Sequence, residues 1–82
     1  MWTTMEVKDL NYYMSLHYKI ELIPEKDGSW GAVVPALPGC VGGGDTIAEA
    51  LEMLEDAKSG WFASRLKHDD PIPEPTFADV IV

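Results

Sequence analysis

The sequence predicts an α+β fold in two layers, in which a three-stranded antiparallel sheet is covered by one long helix. Two observations carry this prediction. An Asp-Gly turn signal joins two short β-prone segments, which is typical of a hairpin. Further along, apolar residues recur at spacings of three and four, which is typical of a helix that buries one face. The chain has 82 residues, the size of a single domain.

Three parts are expected along the chain. Residues 1–17 form an N-terminal arm or a short helix, which Asp9 could cap. Residues 18–75 form the α+β domain, and residues 76–82 form a short apolar tail that could add an extra edge strand. The N-terminal residues lack the long apolar run of a signal peptide or a membrane span, and the single cysteine allows no internal disulfide. We therefore expect a cytoplasmic protein with no membrane partner.

The first two strands are expected to pair as a hairpin. Tyr18, Ile20 and Leu22 alternate with charged residues, so the first strand should have one apolar and one wet face. The turn contains Asp27 followed by glycine, and residues 30–34 form the returning strand, with alternate side chains on one face. A short third strand is expected around residues 40–42, although its glycines weaken the pattern.

The long helix is the most strongly patterned element. Thr46 and Glu49 have the spacing of a capping box, which satisfies free amides at a helix start. The expected buried face consists of Ile47, Ala50, Leu51, Leu54, Ala57 and Trp61. We expect it to pack against one face of the sheet, formed by Tyr18, Ile20, Leu22 and Val34 or by the residues that alternate with them. Gly60 is unfavourable inside a helix, and close packing would explain its presence. Pro71 should end the helix near His68.

The charge of the chain excludes some functions. Fourteen acidic and six basic residues give a net charge of −8. Direct binding of nucleic acid by this chain is not expected, because that function needs a basic surface. Two interpretations of the acidity stay open. The acids could serve solubility, or they could face a basic protein partner.

The stretch "PALPGCVGGGDT", residues 35–46, raises three possibilities. A phosphate-binding loop would need a lysine that is missing here, and Asp45 would repel a phosphate. A thiol nucleophile would need a base near Cys40, but no motif links either histidine to it. Metal-ligand spacing is absent as well, so no metal and no cofactor are expected. The preferred interpretation is a shaped turn that leads toward the helix.

Taken together, several short motifs resemble a known family. They are, in this order, "Y-x-I-x-L-I-P", "EKDG", "P-x-L-P-G-C", "G-D-T", "EAL-x-M-L-x-D-A" and "PIPEP", and the resemblance covers the chain from about Asp9 to Pro75. The chain is similar to the HicB-like antitoxins of bacterial toxin–antitoxin systems. The resemblance implies a partial ribonuclease-H-like fold with a further short strand. Relatives often continue into a DNA-binding domain, which we do not expect here because only seven residues follow "PIPEP".

The resemblance also implies a function. It implies binding to a HicA-like toxin, a small basic ribonuclease, and coverage of its active site. The residues expected at this interface are Glu25, Asp27, Trp30, Leu37, Cys40 and Asp45. No enzymatic activity is expected, since ribonuclease H chemistry needs a cluster of carboxylates around two metal ions, which the strands do not offer. A homodimer or homotetramer is expected. The alternative is a stand-alone oligomeric domain with a structural or small-ligand-binding role.

Overall fold

The computed structural model of the chain describes residues 8–75. Its elements are α1 (Leu10–Met14), β1 (Glu21–Pro24), β2 (Trp30–Val33), β3 (Val41–Gly44) and α2 (Ile47–Lys67). The strands form one antiparallel sheet in the order β1-β2-β3, and α2 packs over β3 and β2. The predicted α+β fold, with a three-stranded antiparallel sheet and one long helix against it, is confirmed. The extra strand predicted in the tail lies outside the described residues.

The β1–β2 hairpin closes as its turn residues predict. The Asp27 carboxylate accepts hydrogen bonds from the Ser29 backbone N–H and hydroxyl, at 3.0 and 2.6 Å. Gly28 has a φ of +91°, which is the left-handed region that glycine enters without a steric penalty. β1 starts at Glu21 instead of Tyr18. Tyr18 is buried and packs its ring 5.7 Å from the Phe62 ring, centroid to centroid.

Both helices begin at the predicted caps. The Asp9 side chain accepts a hydrogen bond from the Tyr12 backbone N–H at 2.9 Å. The Thr46 hydroxyl accepts one from the Glu49 N–H at 3.1 Å. The returning bond differs from a simple capping box, because the Glu49 carboxylate accepts from the N–H of Asp45, at 2.9 Å. These two hydrogen bonds therefore tie Asp45 and Thr46 to Glu49 in the first turn of α2.

The buried face of α2 follows a stricter spacing than the predicted one. It consists of Ala50, Leu54, Lys58 and Phe62, each four residues after the last. Ile47, predicted to be buried, is 39% exposed. Lys58 is buried with its ammonium 2.9 Å from the Glu55 carboxylate, which reaches it from the exposed side of the helix. A long side chain with a paired charged end can occupy such a position, so the apolar pattern alone could not locate this face.

Close approach of the backbones explains the glycines of β3. A Cβ atom at Gly42 would lie 2.6 Å from the Leu54 backbone nitrogen, and one at Gly44 would lie 2.9 Å from the Ala50 nitrogen. Both glycines therefore let α2 lie almost directly on β3. Gly60 has no such role within residues 8–75, because a Cβ atom there would meet none of their atoms within 4 Å. The expectation of close packing at Gly60 was wrong.

The position of α2 leaves β1 uncovered. Ile20, Leu22 and Ile23 are all exposed, and every residue of β1 is exposed to solvent on the described chain. The prediction that Ile20 and Leu22 pack under the helix was wrong. The glycines of β3 let the helix lie close to that strand, which is at the other edge of the sheet from β1. Val34 and Leu54 were correctly assigned to the core.

Candidate partner-binding surface

The hydrogen bonds between β2 and β3 determine which backbone groups face outward. The Val34 N–H donates to the Cys40 carbonyl at 3.2 Å. In an antiparallel pair, residues that exchange hydrogen bonds alternate with residues that do not. The register pairs residue 33 with Val41 and residue 31 with Gly43, so these are the non-bonded positions. Val41 and Gly43 therefore direct their N–H and C=O groups to the free edge of the sheet.

The same reasoning applies to β1. The Glu25 N–H donates to the Ser29 carbonyl at 2.9 Å, which sets the bonded positions of this hairpin. Leu22 then lies at a non-bonded position and directs its N–H and C=O outward. Pro24 is the next such position and has no N–H to offer. Within residues 8–75 both β1 and β3 are edge strands.

Four of the six residues predicted at the partner interface lie at one end of the sheet. Trp30 pairs with Gly44, the last residue of β3, and with Pro24, the last residue of β1. The hairpin turn with Glu25 and Asp27 therefore lies at the same end as Asp45. We call Glu25, Asp27 and Asp45 the acidic end. Trp30 is half-buried beside it and packs against the core.

The other two predicted residues lie at the opposite end, in the β2–β3 turn. Leu37 and Cys40 are 0% and 1% exposed. Two successive turns shape this connection, with the Leu37 N–H donating to the Val34 carbonyl and the Cys40 N–H donating to the Leu37 carbonyl. The indole N–H of Trp61 donates to the Pro38 carbonyl at 2.8 Å and ties the turn to α2. Leu37 and Cys40 thus anchor the turn by packing into the hydrophobic core.

The chemistry of Cys40 agrees with a packing role. Burial raises the pKa of this thiol, and the nearby Lys58 ammonium opposes that shift only in part. A thiol with a raised pKa is protonated at neutral pH, so it is a poor nucleophile. Among residues 8–75, no group of three or more His, Cys, Asp or Glu side chains is arranged to hold a metal ion.

The acidic end carries exposed carboxylates. The two hydrogen bonds from Ser29 lower the pKa of Asp27, so this carboxylate keeps its charge further into the acidic range. Glu25 leans over the sheet, because a Cβ atom at Gly31 would meet its carboxylate oxygen at 3.4 Å. Asp45 is exposed just before α2. These groups can attract a basic surface at long range.

A groove of about 330 Å³ continues from the acidic end along β3. We call it the β3 groove. It runs between the edge of β3 and one row of α2, and its lining residues are Gly43, Gly44, Asp45, Glu49, Glu52, Met53 and Asp56. The residues from α2 were not predicted as a site, because acids on a helix surface usually face solvent. Their spacing of three and four was the signal that places them in one row.

Comparison with known proteins identifies the family of this chain. The sequence model of the HicB-like antitoxins of bacterial toxin–antitoxin systems matches residues 18–82. The chain belongs to this family. The resemblance found in its motifs is therefore confirmed, and a toxin–antitoxin role follows at the level of the family.

Two curated relatives support the assignment. UPF0150 protein Ta0767 of Thermoplasma acidophilum is 33% identical over 82% of this chain and 97% of its own length. UPF0150 protein ssl0259 of Synechocystis is 34% identical over 71% of this chain and 80% of its own length. No solved structure gives a significant match. Neither helix within residues 8–75 is long and apolar enough to cross a membrane.

Proposed function

We propose that this chain neutralises a small basic ribonuclease toxin of the HicA kind by binding over its active site. The observation that carries the proposal is the acidic lining of the β3 groove, which shares Asp45 with the acidic end, on a member of an antitoxin family. The net charge of −8 is consistent with a basic partner. Such a toxin must expose basic groups that hold RNA phosphates, and an acidic surface can occupy them.

The residues of the interface have different roles in this proposal. Glu25, Asp27 and Asp45 pair with lysines or arginines of the toxin. Charges at an interface rim act mainly on the rate of association and lose their effect as salt is added. Leu37 and Cys40 contribute from within the β2–β3 turn, which they hold in shape. The chain itself is expected to cleave no RNA, with or without added magnesium or manganese.

Co-expression tests the proposal directly. If a gene for a small basic protein neighbours the gene for this chain, the two are expressed together, and growth and co-purification are recorded. Rescue of growth together with a stable complex supports the antitoxin function. Absence of both would contradict it and would favour the stand-alone oligomeric domain.

Charge reversal tests the role of the acidic end. Asp27→Lys and Asp45→Lys should each slow association with the toxin and reduce its dependence on salt, while the fold is retained. Asp70→Lys is the matched control, because it makes the same change of charge beyond the opposite end of α2. Equal effects at all three positions would mean that only net charge matters.

Self-association through β1 is a second part of the proposal. Ile20, Leu22 and Ile23 present apolar side chains at a free strand edge, which natural proteins usually cover. We expect a homodimer or homotetramer in which β1 lies at the contact. This assembly is also what the stand-alone alternative requires, so it does not by itself distinguish the two functions.

A further inference from the structure

We propose that the free edge of β3 receives an extended basic segment of the toxin as an additional strand of the sheet. The inference rests on the proposed function and adds the surface and the mode of binding. Three features carry it: the outward-facing backbone groups of β3, the small side chains along this strand, and the acidic row of α2 beside it. All three features lie within residues 8–75, which the structure describes.

The backbone of β3 is prepared for pairing with another strand. Val41 and Gly43 each present one N–H donor and one C=O acceptor at the edge. No described strand pairs with them. Glycine at residues 42–44 adds no side chain that could obstruct an incoming backbone, and Val41 is 55% exposed. An added strand would lie about 4.8 Å from β3, the ordinary spacing of a sheet.

The β3 groove determines the chemistry of the incoming strand. Glu52, Met53 and Asp56 line the groove on its α2 side, next to the edge of β3. Among residues 8–75, no lysine, arginine or histidine forms an ion pair with Glu52 or Asp56. An added strand would therefore direct alternate side chains toward unpaired carboxylates and toward Met53, which is 53% exposed. Lysine or arginine alternating with apolar residues fits this surface.

Charge also disfavours a second copy of this chain at the same edge. Two copies paired through β3 in one continuous sheet, with both helices on the same face, would bring Glu52 and Asp56 of each copy toward each other. Like charges placed together across an interface are unfavourable and suppress such a pairing. Among the residues that the structure describes, no acidic row of α2 overhangs the β1 edge, so self-association is better accommodated there.

Two matched proline variants test the inference. Val41→Pro removes one outward N–H from β3, and Leu22→Pro removes one from β1, while the bonded positions of the sheet stay intact. We expect Val41→Pro to weaken binding of the co-purified toxin about tenfold, which is the effect of one lost hydrogen bond whose partner is left unpaired. Leu22→Pro should bind the toxin as the wild type does. Denaturant unfolding confirms that each variant is folded.

A double charge reversal serves as the second variant. Glu52→Lys with Asp56→Lys keeps the strand edge intact, and it should weaken toxin binding at least tenfold. Its control is Asp70→Lys with Glu21→Lys, which changes the net charge equally away from the β3 groove. This pair decides the question if Val41→Pro does not fold.

The outcomes separate the inference from the proposed function. If the wild type does not bind the toxin, both are overturned. If the wild type binds and the β3 variants bind equally well, only the β3 edge is excluded. If Val41→Pro abolishes self-association instead of toxin binding, a second copy occupies this edge and the inference is wrong. Loss of toxin binding in the β3 variants alone supports it.

Discussion

The two edges of the sheet differ in what surrounds them. β3 lies directly under α2, its glycines allow the helix backbone to touch it, and acids of the helix overhang its outer side. β1 lies beyond the helix, and Leu22 and Ile23 of this strand are exposed together with Ile20 just before it. Both strands offer unpaired backbone groups within residues 8–75, so hydrogen bonding alone does not distinguish them. The two edges differ in charge and in apolar exposure, and these differences fit different partners.

The largest expected difference between the two regions is in stability. Leu54 is fully buried between α2 and the sheet, whereas Leu22 is 39% exposed on β1. Leu54→Ala should lower the free energy of unfolding by about 2–5 kcal/mol, the range for a buried leucine. Leu22→Ala should cost about 1 kcal/mol or less in a monomer. Denaturant unfolding of both variants at low protein concentration measures the difference, and equal costs would show that α2 also covers β1.

The two faces of β3 can be compared with a single added methyl group. Gly42→Ala would place a Cβ atom against the Leu54 backbone, so we expect a loss of about 1–3 kcal/mol from overpacking. Gly43→Ala points to the other face, where its nearest contact is the Trp30 carbonyl at 3.4 Å, and should cost less than about 1 kcal/mol. Thermal or denaturant unfolding ranks the two. The reverse order would contradict the close approach of α2 to β3.

The β1 and β3 edges should differ in self-association, because the exposed apolar side chains lie mainly at β1. Leu22→Lys places a charge among the exposed apolar residues of β1 and should shift the assembly to monomer. Val41→Lys places the same charge on the β3 edge and should leave the assembly unchanged. Light scattering across a range of protein concentrations reports the mass of each variant. A wild-type chain that is monomeric at high micromolar concentration would remove the basis for assigning self-association to β1.

The smallest expected effect lies on α2, away from both edges. Gly60→Ala introduces a methyl group that meets no atom of the described part of the chain, residues 8–75, within 4 Å. Because alanine restricts the unfolded chain and favours the helix, this variant should be more stable by about 0.4–1 kcal/mol. Chemical denaturation measures the gain. Destabilisation would mean that this surface of α2 is covered in the assembled protein.

The elements of the fold could be predicted from local signals in the sequence. The Asp27 turn, the Asp9 and Thr46 caps and the long helix each depend on neighbouring residues, and each was found where the sequence placed it. The lateral position of α2 could not be predicted in this way. It depends on the absence of side chains at Gly42 and Gly44, and on the fact that the backbone of α2, distant in sequence, fills that space. In the sequence alone, these glycines only made the third strand harder to predict.

The candidate surface was also predictable only where it depends on local signals. The hairpin acids and Asp45 are brought to one end by the strand register, which follows from the turns. Leu37 and Cys40 were expected at the interface but are buried, because a turn rich in proline and glycine gives no indication of which side faces inward. Glu52 and Asp56 gain their importance only from their position beside a free strand edge.

Amide hydrogen exchange at the two edges is the most direct test of the central claim. The outward N–H groups of Val41 and Gly43 should exchange rapidly in the free chain and become protected when the toxin binds. The outward N–H of Leu22 should respond to protein concentration and remain unaffected by the toxin. The claim would be contradicted if the toxin protected Leu22 and left Val41 and Gly43 unchanged, or if the two β3 amides were already protected in the free chain.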